Sequence, residues 1–389
     1  MIEALRRLYK TAFFRILAST LGFIIVVLTS RYLGPAGRGI FALFMNVVIT
    51  IVAFSGNFQS SIVYYVGSKK RPFSPYMTVL QYLALFVSIL SLASVLIFPQ
   101  LKPYSSALMV AVFFYNIVMY MEGYSYAIDD LMKANLYKSL PSIISFSIIF
   151  VVLVVLRILD VSPVIWGWSI SFLLVLLLMR SFPFVLALPA GNALRELMVH
   201  GIFVALSTFI SRIFYRVDFF YISRFIGDAM AGIYSVAMTV ADINFLLFNM
   251  ITTAFMGKLV GRESRKYLRY GILYILLMEV PFVIFLALTG RFLIPYVFGG
   301  EFLDAFVPAL ILSIAIIFYT MGSMIAIYIN VKLGKTYIPF IIAIMGLLVK
   351  GIIAYLLVIT HGMVGGAYSS LVAYALTFLA FVYAYSRLA

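Results

Sequence analysis

Two arginines four residues apart sit where charge is expensive. The stretch Ser211–Phe225 reads SRIFYRVDFFYISRF and lies inside a long, mostly apolar run, yet it carries Arg212, Arg216 and Asp218. An arginine near the middle of a membrane helix costs roughly 2.5–3.5 kcal/mol on insertion scales, so such residues normally face a protein interior or a wet cavity. The i, i+4 spacing puts Arg212 and Arg216 on one helix face. A guanidinium is planar and binds two oxygens at once, which suits it to a phosphate group. Arg15, a turn and a half inside the first apolar run, would add a third positive depth if it faces the same space; the alternative is that it snorkels to the cytoplasmic surface. The bland alternative for the central charges is that Arg216 and Asp218 satisfy each other and lock helices together. Asp218, however, lies about 200° around an ideal helix from Arg216. It therefore pairs with another helix, caps a local break, or binds a coupling cation.

Other acids belong to the same question. Asp242 and Asn249 are seven apart on one face, with Thr239 and Thr253 nearby, a pattern that serves helix packing as often as transport. Glu279, before Pro281, and Lys350 stand alone in separate apolar runs; they pair with each other, or Glu279 is protonated as an isolated buried carboxylate tends to be. Asp218, Asp242 and Glu279 are thus the candidate ion-coupling acids. Asp129 and Lys133, at i, i+4 spacing near a run's end, look like a surface ion pair.

Several chemistries are excluded. There is no cysteine for thiol or disulfide chemistry, and only two histidines, His200 and His361, far apart in the chain, which leaves no histidine-based metal cluster. Gly334-Lys335-Thr336 resembles the end of a phosphate-binding loop, but Ile329 stands where its first glycine belongs. No acidic catalytic motif and no large loop points to an enzyme. The net charge of +15 would suggest nucleic acid in a soluble protein, but with 65% hydrophobic and 11% charged residues topology explains it better.

The elements that must position these residues are membrane helices. About 12 spans are expected, at 11–30, 39–65, 76–98, 105–128, 139–157, 162–187, 197–222, 229–256, 268–289, 304–330, 337–359 and 364–386. The N-terminal run is too long for a signal peptide and counts as the first span. Alternate connections hold most of the Lys and Arg, among them Lys69, Lys70, Arg71, Lys258, Arg262, Arg265 and Lys266, whereas the opposite set holds Arg31, Arg38, Lys102, Arg157, Arg224 and Arg291. The positive-inside rule then places both termini in the cytoplasm. An internal repeat is visible: RYLGPAGRGIFAL from Arg31 aligns without a gap with RFIGDAMAGIYSV from Arg224, an offset of 193 residues. Gly34, Gly39, Gly227 and Gly232 recur in it, as tight turns and helix starts or as a hinge or outer gate. Gly362 and Gly366 have the small-xxx-small spacing of close helix contacts. Two parallel six-span lobes, 1–187 and 188–389, are expected, with a substrate site between them. Arg212, Arg216 and Asp218 align with Ser19, Phe23 and Ile25, so these charges belong to the second half alone.

RYLGPAGRGIFAL, SRFIGDAMAGIYSVAMTVADI, YVFGGEFLDAFVPALILSIAIIFYTMGSMIAIYINVKLGKTYIPF and HGMVGGAYSSLVAYAL resemble the polysaccharide-exporter, O-antigen flippase-like branch of the multidrug/oligosaccharidyl-lipid/polysaccharide exporter superfamily. The resemblance covers essentially the whole chain. It implies an all-α, MATE-like V-shaped bundle in the cell (inner) membrane that moves a lipid-linked, polyprenyl-diphosphate oligosaccharide outward by alternating access. Arg212, Arg216 and Arg15 would hold the diphosphate. It implies a non-enzymatic monomer without a resident cofactor, coupled to H⁺ or Na⁺ or driven by the membrane potential, with a polysaccharide polymerase or glycosyltransferases as partners. The alternatives are a cation-coupled multidrug exporter of the same fold and a non-transporting subunit of a polysaccharide-assembly complex.

Overall fold

The computed structural model describes residues 2–181, 191–259, 261 and 263–388. These are helical almost throughout, with no strand among the described residues. Ten helices are long and apolar enough to cross a bilayer: α1 Phe13–Ser68, α2 Phe73–Ile97, α3 Pro99–Ala127, α4 Leu131–Val155, α5 Val161–Leu178, α6 Gly191–Ile226, α7 Asp228–Thr253, α8 Ser264–Phe298, α9 Gly300–Val331 and α10 Tyr337–Leu388. A helix satisfies its backbone N–H and C=O groups within one segment, which is the requirement hydrocarbon imposes on a single stretch of chain.

Two of these helices are far longer than one crossing. α1 and α10 have 56 and 52 residues, about 80 Å each at 1.5 Å per residue, against roughly 30 Å of hydrocarbon. Each is broken once by a glycine in the left-handed region, Gly34 (φ 65°, ψ −176°) and Gly362 (φ 59°, ψ −135°). Divided there, the ten helices become twelve helical segments, and both breaks fall in expected connections. Gly362 therefore interrupts a helix rather than lining a contact face. Gly366, four residues on, does pack closely: a Cβ there would lie 2.8 Å from the Ile222 side chain. Phe203, Leu288, Phe292 and Tyr296 turn outward while Asn116, Asp218, Glu279 and Lys350 are buried, the reverse of a soluble protein.

The chain groups into two compact units, Met1–Leu33 with Ile40–Arg212, and Gly34–Gly39 with Ile213–Ala389. The division falls inside α6, between Arg212 and Ile213. The start of α6 packs within the first unit, for three reasons. A Cβ on Gly201 would lie 2.5 Å from the Phe58 ring, His200 stacks on Tyr64 at 4.5 Å, and Glu196 accepts a hydrogen bond from Tyr76. Elsewhere in that unit α3 packs against α2, α4 and α5. In the second unit α9 packs against α7, α8 and α10, around Phe248, Ile275, Met321, Met324 and Phe381.

The repeated glycines divide into two kinds. Gly34 and Gly227 both have positive φ, 65° and 116°, and start the helical segments that follow them. Gly39 and Gly232 instead allow backbones to touch. A Cβ on Gly39 would lie 1.8 Å from the Asp228 carbonyl oxygen, and one on Gly232 would lie 1.9 Å from that of Pro35. Pro35 and Asp228 are themselves equivalent in the repeat, so the contact is reciprocal. Arg38, counted above with an outer connection, is buried there and donates from Nε to Ser235 Oγ at 3.0 Å.

One expected ion pair is corrected. Lys133 pairs with Asp130 at 3.2 Å, not with Asp129. Asp129 has φ 60° and precedes the helix, so helical spacing does not apply to it. Asp130 is the N-cap of α4 and accepts from the Lys133 backbone N–H at 3.0 Å.

Candidate functional site

The charged residues of α6 resolve into separate networks. Arg212 donates from Nη2 to the Asn46 side-chain oxygen at 3.1 Å, a neutral partner on α1. One turn later Arg216 is buried, and its Nη2 meets Asp242 Oδ2 of α7 at 2.6 Å. The other oxygen of Asp242 accepts from the Tyr215 hydroxyl at 2.5 Å. Arg216 is otherwise poorly served. Its Nη1 faces only the Met238 sulfur at 2.8 Å, a weak acceptor, and its buried Nε has no hydrogen-bond partner among the described residues. The guanidinium also lies over the Tyr215 ring, 4.6 Å from its centroid.

Asp218 faces elsewhere, as its angle on the helix requires. It forms a fully buried ion pair with Lys350 of α10, Nζ to Oδ1 3.3 Å. Its Oδ2 accepts from Tyr234 at 2.5 Å and from Ser370 at 2.7 Å. The ammonium also lies 3.2 Å from the Tyr374 hydroxyl and 4.8 Å from that ring's centroid. Lys350 thus pairs with Asp218 rather than Glu279, and the place a mobile cation would take beside Asp218 holds a tethered one. Tyr215, Tyr319 and Tyr374 cluster around this network, with ring centroids 5.0–6.2 Å apart.

Glu279 on α8 is buried, with no cation paired to it among the described residues. Its Oε2 accepts from the Thr320 hydroxyl of α9 at 3.0 Å, with the carbonyls of Ile316 and Ile317, also at 3.0 Å, as the alternative acceptors of that hydroxyl. The carboxyl's remaining oxygen, Oε1, has no partner among the described residues.

Arg15 is exposed, and its interactions are with Glu122 and Tyr126 of α3; Glu122 also meets Lys138 at 3.8 Å. Asn249 is exposed on α7, whereas Asn244 is buried and donates to the Ser313 carbonyl at 3.1 Å. Gly34, Gly39, Gly227 and Gly232 lie at the reciprocal contact described above. The partners that the sequence did not single out include Asn46, Tyr215, Tyr234, Met238, Thr320, Ser370 and Tyr374. A lysine alone in an apolar run announces that some acid must meet it, but nothing in the spacing says which.

No protein-family model matches the chain, and no curated protein matches it. Solved structures do match in fold. The lipid II flippase MurJ in an inward closed conformation superposes with a TM-score of 0.77 at 16% identity, covering 97% of this chain and 87% of that one. An outward-facing multidrug resistance MATE family transporter of the MOP superfamily gives 0.67 at 15% identity, covering 98% and 95%. A MOP superfamily transporter from Pyrococcus furiosus, with a binding pocket of reverse polarity, gives 0.65 at 14% identity, covering 98% and 95%. The likeness is one of fold: the chain has the helical architecture of the MurJ and MATE structures.

Proposed function

We propose that the chain is a membrane transporter, a flippase that moves a polyprenyl-diphosphate-linked oligosaccharide from the cytoplasmic to the outer leaflet by alternating access, for cell-surface polysaccharide synthesis. The observation that carries this reading is Arg216. A buried guanidinium with an unpartnered Nε–H and an Nη1 facing only sulfur is a site prepared for acceptor oxygens. Arg212 stands one turn away and donates to the Asn46 side-chain oxygen. Asp218 is taken by Lys350, and Asp242 fills only one of the donors of Arg216. An anionic headgroup supplies the missing acceptors.

The energetics agree in sign. An inside-negative potential assists an outward-moving anion by roughly 2.3 kcal/mol per charge per 100 mV, about 4–5 kcal/mol for a diphosphate carrying about two charges. The name of one structural neighbour, a lipid II flippase, belongs to the same substrate class. The second reading, a cation-coupled multidrug exporter, draws on the MATE likeness and on the aromatic side chains beside Asp242, but a cationic drug would leave the open donors of Arg216 unused.

The test is reconstitution in liposomes, following access of a fluorescent polyprenyl-diphosphate sugar to an external quencher. Removing a charge-assisted contact worth about 1.5–3 kcal/mol should slow flipping by roughly ten- to a hundredfold in Arg216→Ala, with Arg216→Lys intermediate. Arg216→Ala and Arg212→Ala flipping at the wild-type rate would refute the basic-site mechanism. Efflux of a cationic dye in place of lipid flipping would favour the exporter.

A further inference from the structure

We infer that Asp242 is an internal stand-in for the substrate's phosphate: it holds Arg216 while the site is empty and yields it to the incoming anion, so that the unloaded protein can return across its conformational cycle. This rests on the flippase reading above.

The two ion pairs near α6 differ in what can displace them. Lys350 and Asp218 have side-chain exposures of 0% and 2%, and both are locked. In the other pair Arg216 is 10% exposed and Asp242 34%, so the cation is fixed and the anion is reachable. Displacement also has somewhere to go. An arriving phosphate oxygen finds Nε without a partner and Nη1 on a thioether, alongside the Nη2 that Asp242 holds. The departing carboxylate keeps the Tyr215 hydroxyl on its second oxygen.

The need for such a stand-in follows from direction. A flippase that delivers its lipid to the outer leaflet must reorient empty, and an empty site would leave a guanidinium uncompensated inside the membrane. The Arg216–Asp242 pair is neutral and closes the site without substrate. Removing the carboxylate would leave substrate as the sole counter-charge for Arg216, which turns a one-way carrier into an exchanger.

The experiment compares wild type with Asp242→Asn in the liposome system, measuring net flipping of the fluorescent polyprenyl-diphosphate sugar and, separately, exchange of labelled for unlabelled lipid between leaflets. The expected result is exchange retained to within a few-fold, net flipping reduced at least tenfold, and partial recovery of net flipping in Asp242→Glu. Retained exchange also certifies that the variant folds. Wild-type net flipping in Asp242→Asn, or parallel loss of both activities, overturns the inference. The chain has no cysteine, which allows an arm without lipid substrate: Asn249→Cys labelled by a membrane-impermeant maleimide from each side. Empty wild type should label from both sides and Asp242→Asn predominantly from one; equal two-sided labelling in both overturns the inference. A wild type that neither flips nor exchanges the lipid, yet shows this labelling difference, instead sinks the choice of substrate.

Discussion

Lys350 shows how single residues are held in this protein. Its ammonium is fully buried against Asp218, with Tyr374 as a further partner, and each of these groups depends on the others. Removing one member of a buried pair typically costs about 3–5 kcal/mol, because the remaining charge is stranded. Lys350→Met should therefore lower the thermal midpoint of the detergent-solubilised protein sharply, and adding Asp218→Leu to it should restore much of the loss. Glu279 behaves oppositely. Glu279→Gln keeps the shape and an acceptor oxygen for the Thr320 hydroxyl, so thermal stability and potential-driven flipping should stay within about twofold of wild type. Loss of flipping in that variant would show that Glu279 carries the coupling ion. The charges themselves stood out in the sequence because each is costly inside an apolar run. Their partners did not. The helical wheel gives a direction for Asp218 but not the identity of the helix it meets, and Tyr234 and Tyr374 are two among 27 tyrosines.

At the scale of helices, glycine matters through two distinct mechanisms, and substitution separates them. Gly39 and Gly232 have no room, since a Cβ would fall 1.8–1.9 Å from a backbone oxygen. Gly39→Ala and Gly232→Ala should abolish stable expression. Gly362 has room, with nothing within 4 Å of a Cβ, but φ of 59°. Gly362→Ala should cost about 1–3 kcal/mol, the strain of a side chain in a sparsely populated backbone region, seen as a fall in thermal midpoint. The start of α4 gives a further test. The Lys133 backbone N–H holds the Asp130 carboxyl below its ordinary value. Its capping contribution is therefore present above the usual carboxylate range and fades as pH falls through the lowered value. Asp130→Ala should cost about 1 kcal/mol at neutral pH, and the difference from wild type should shrink in acid. Both long-helix breaks fall between expected spans, but only Gly34 was read there as a turn; small-xxx-small spacing pointed Gly362 to a contact face instead. The Lys133 partner was not: a helix starting at Leu131 removes Asp129 from the i, i+4 register, and a boundary shift of a residue or two decides the pair.

For the whole molecule, the expectation is that charge and potential set the direction of transport. An inside-negative potential imposed on proteoliposomes should accelerate outward flipping, and an inverted one should slow it, without any ion gradient. An all-helical membrane chain with an internal repeat could be recognised from apolar run length and from one thirteen-residue alignment. The division of the folded chain into units could not. It depends on where α6 changes neighbours, between Arg212 and Ile213, and on side-chain contacts such as Gly201 with Phe58 that no periodicity encodes. The contact of Gly39 with Asp228, and of Gly232 with Pro35, has one more consequence. Position 35 corresponds to 228 and position 39 to 232, so each copy touches the other with the same two residues, the geometry of a two-fold homodimer interface. Two identical half-length chains would make this contact twice over, and joining them end to end would leave it unchanged. The molecule carries at this point the geometry of a dimer interface written into one chain, and a side chain on either glycine would strike the other copy's backbone.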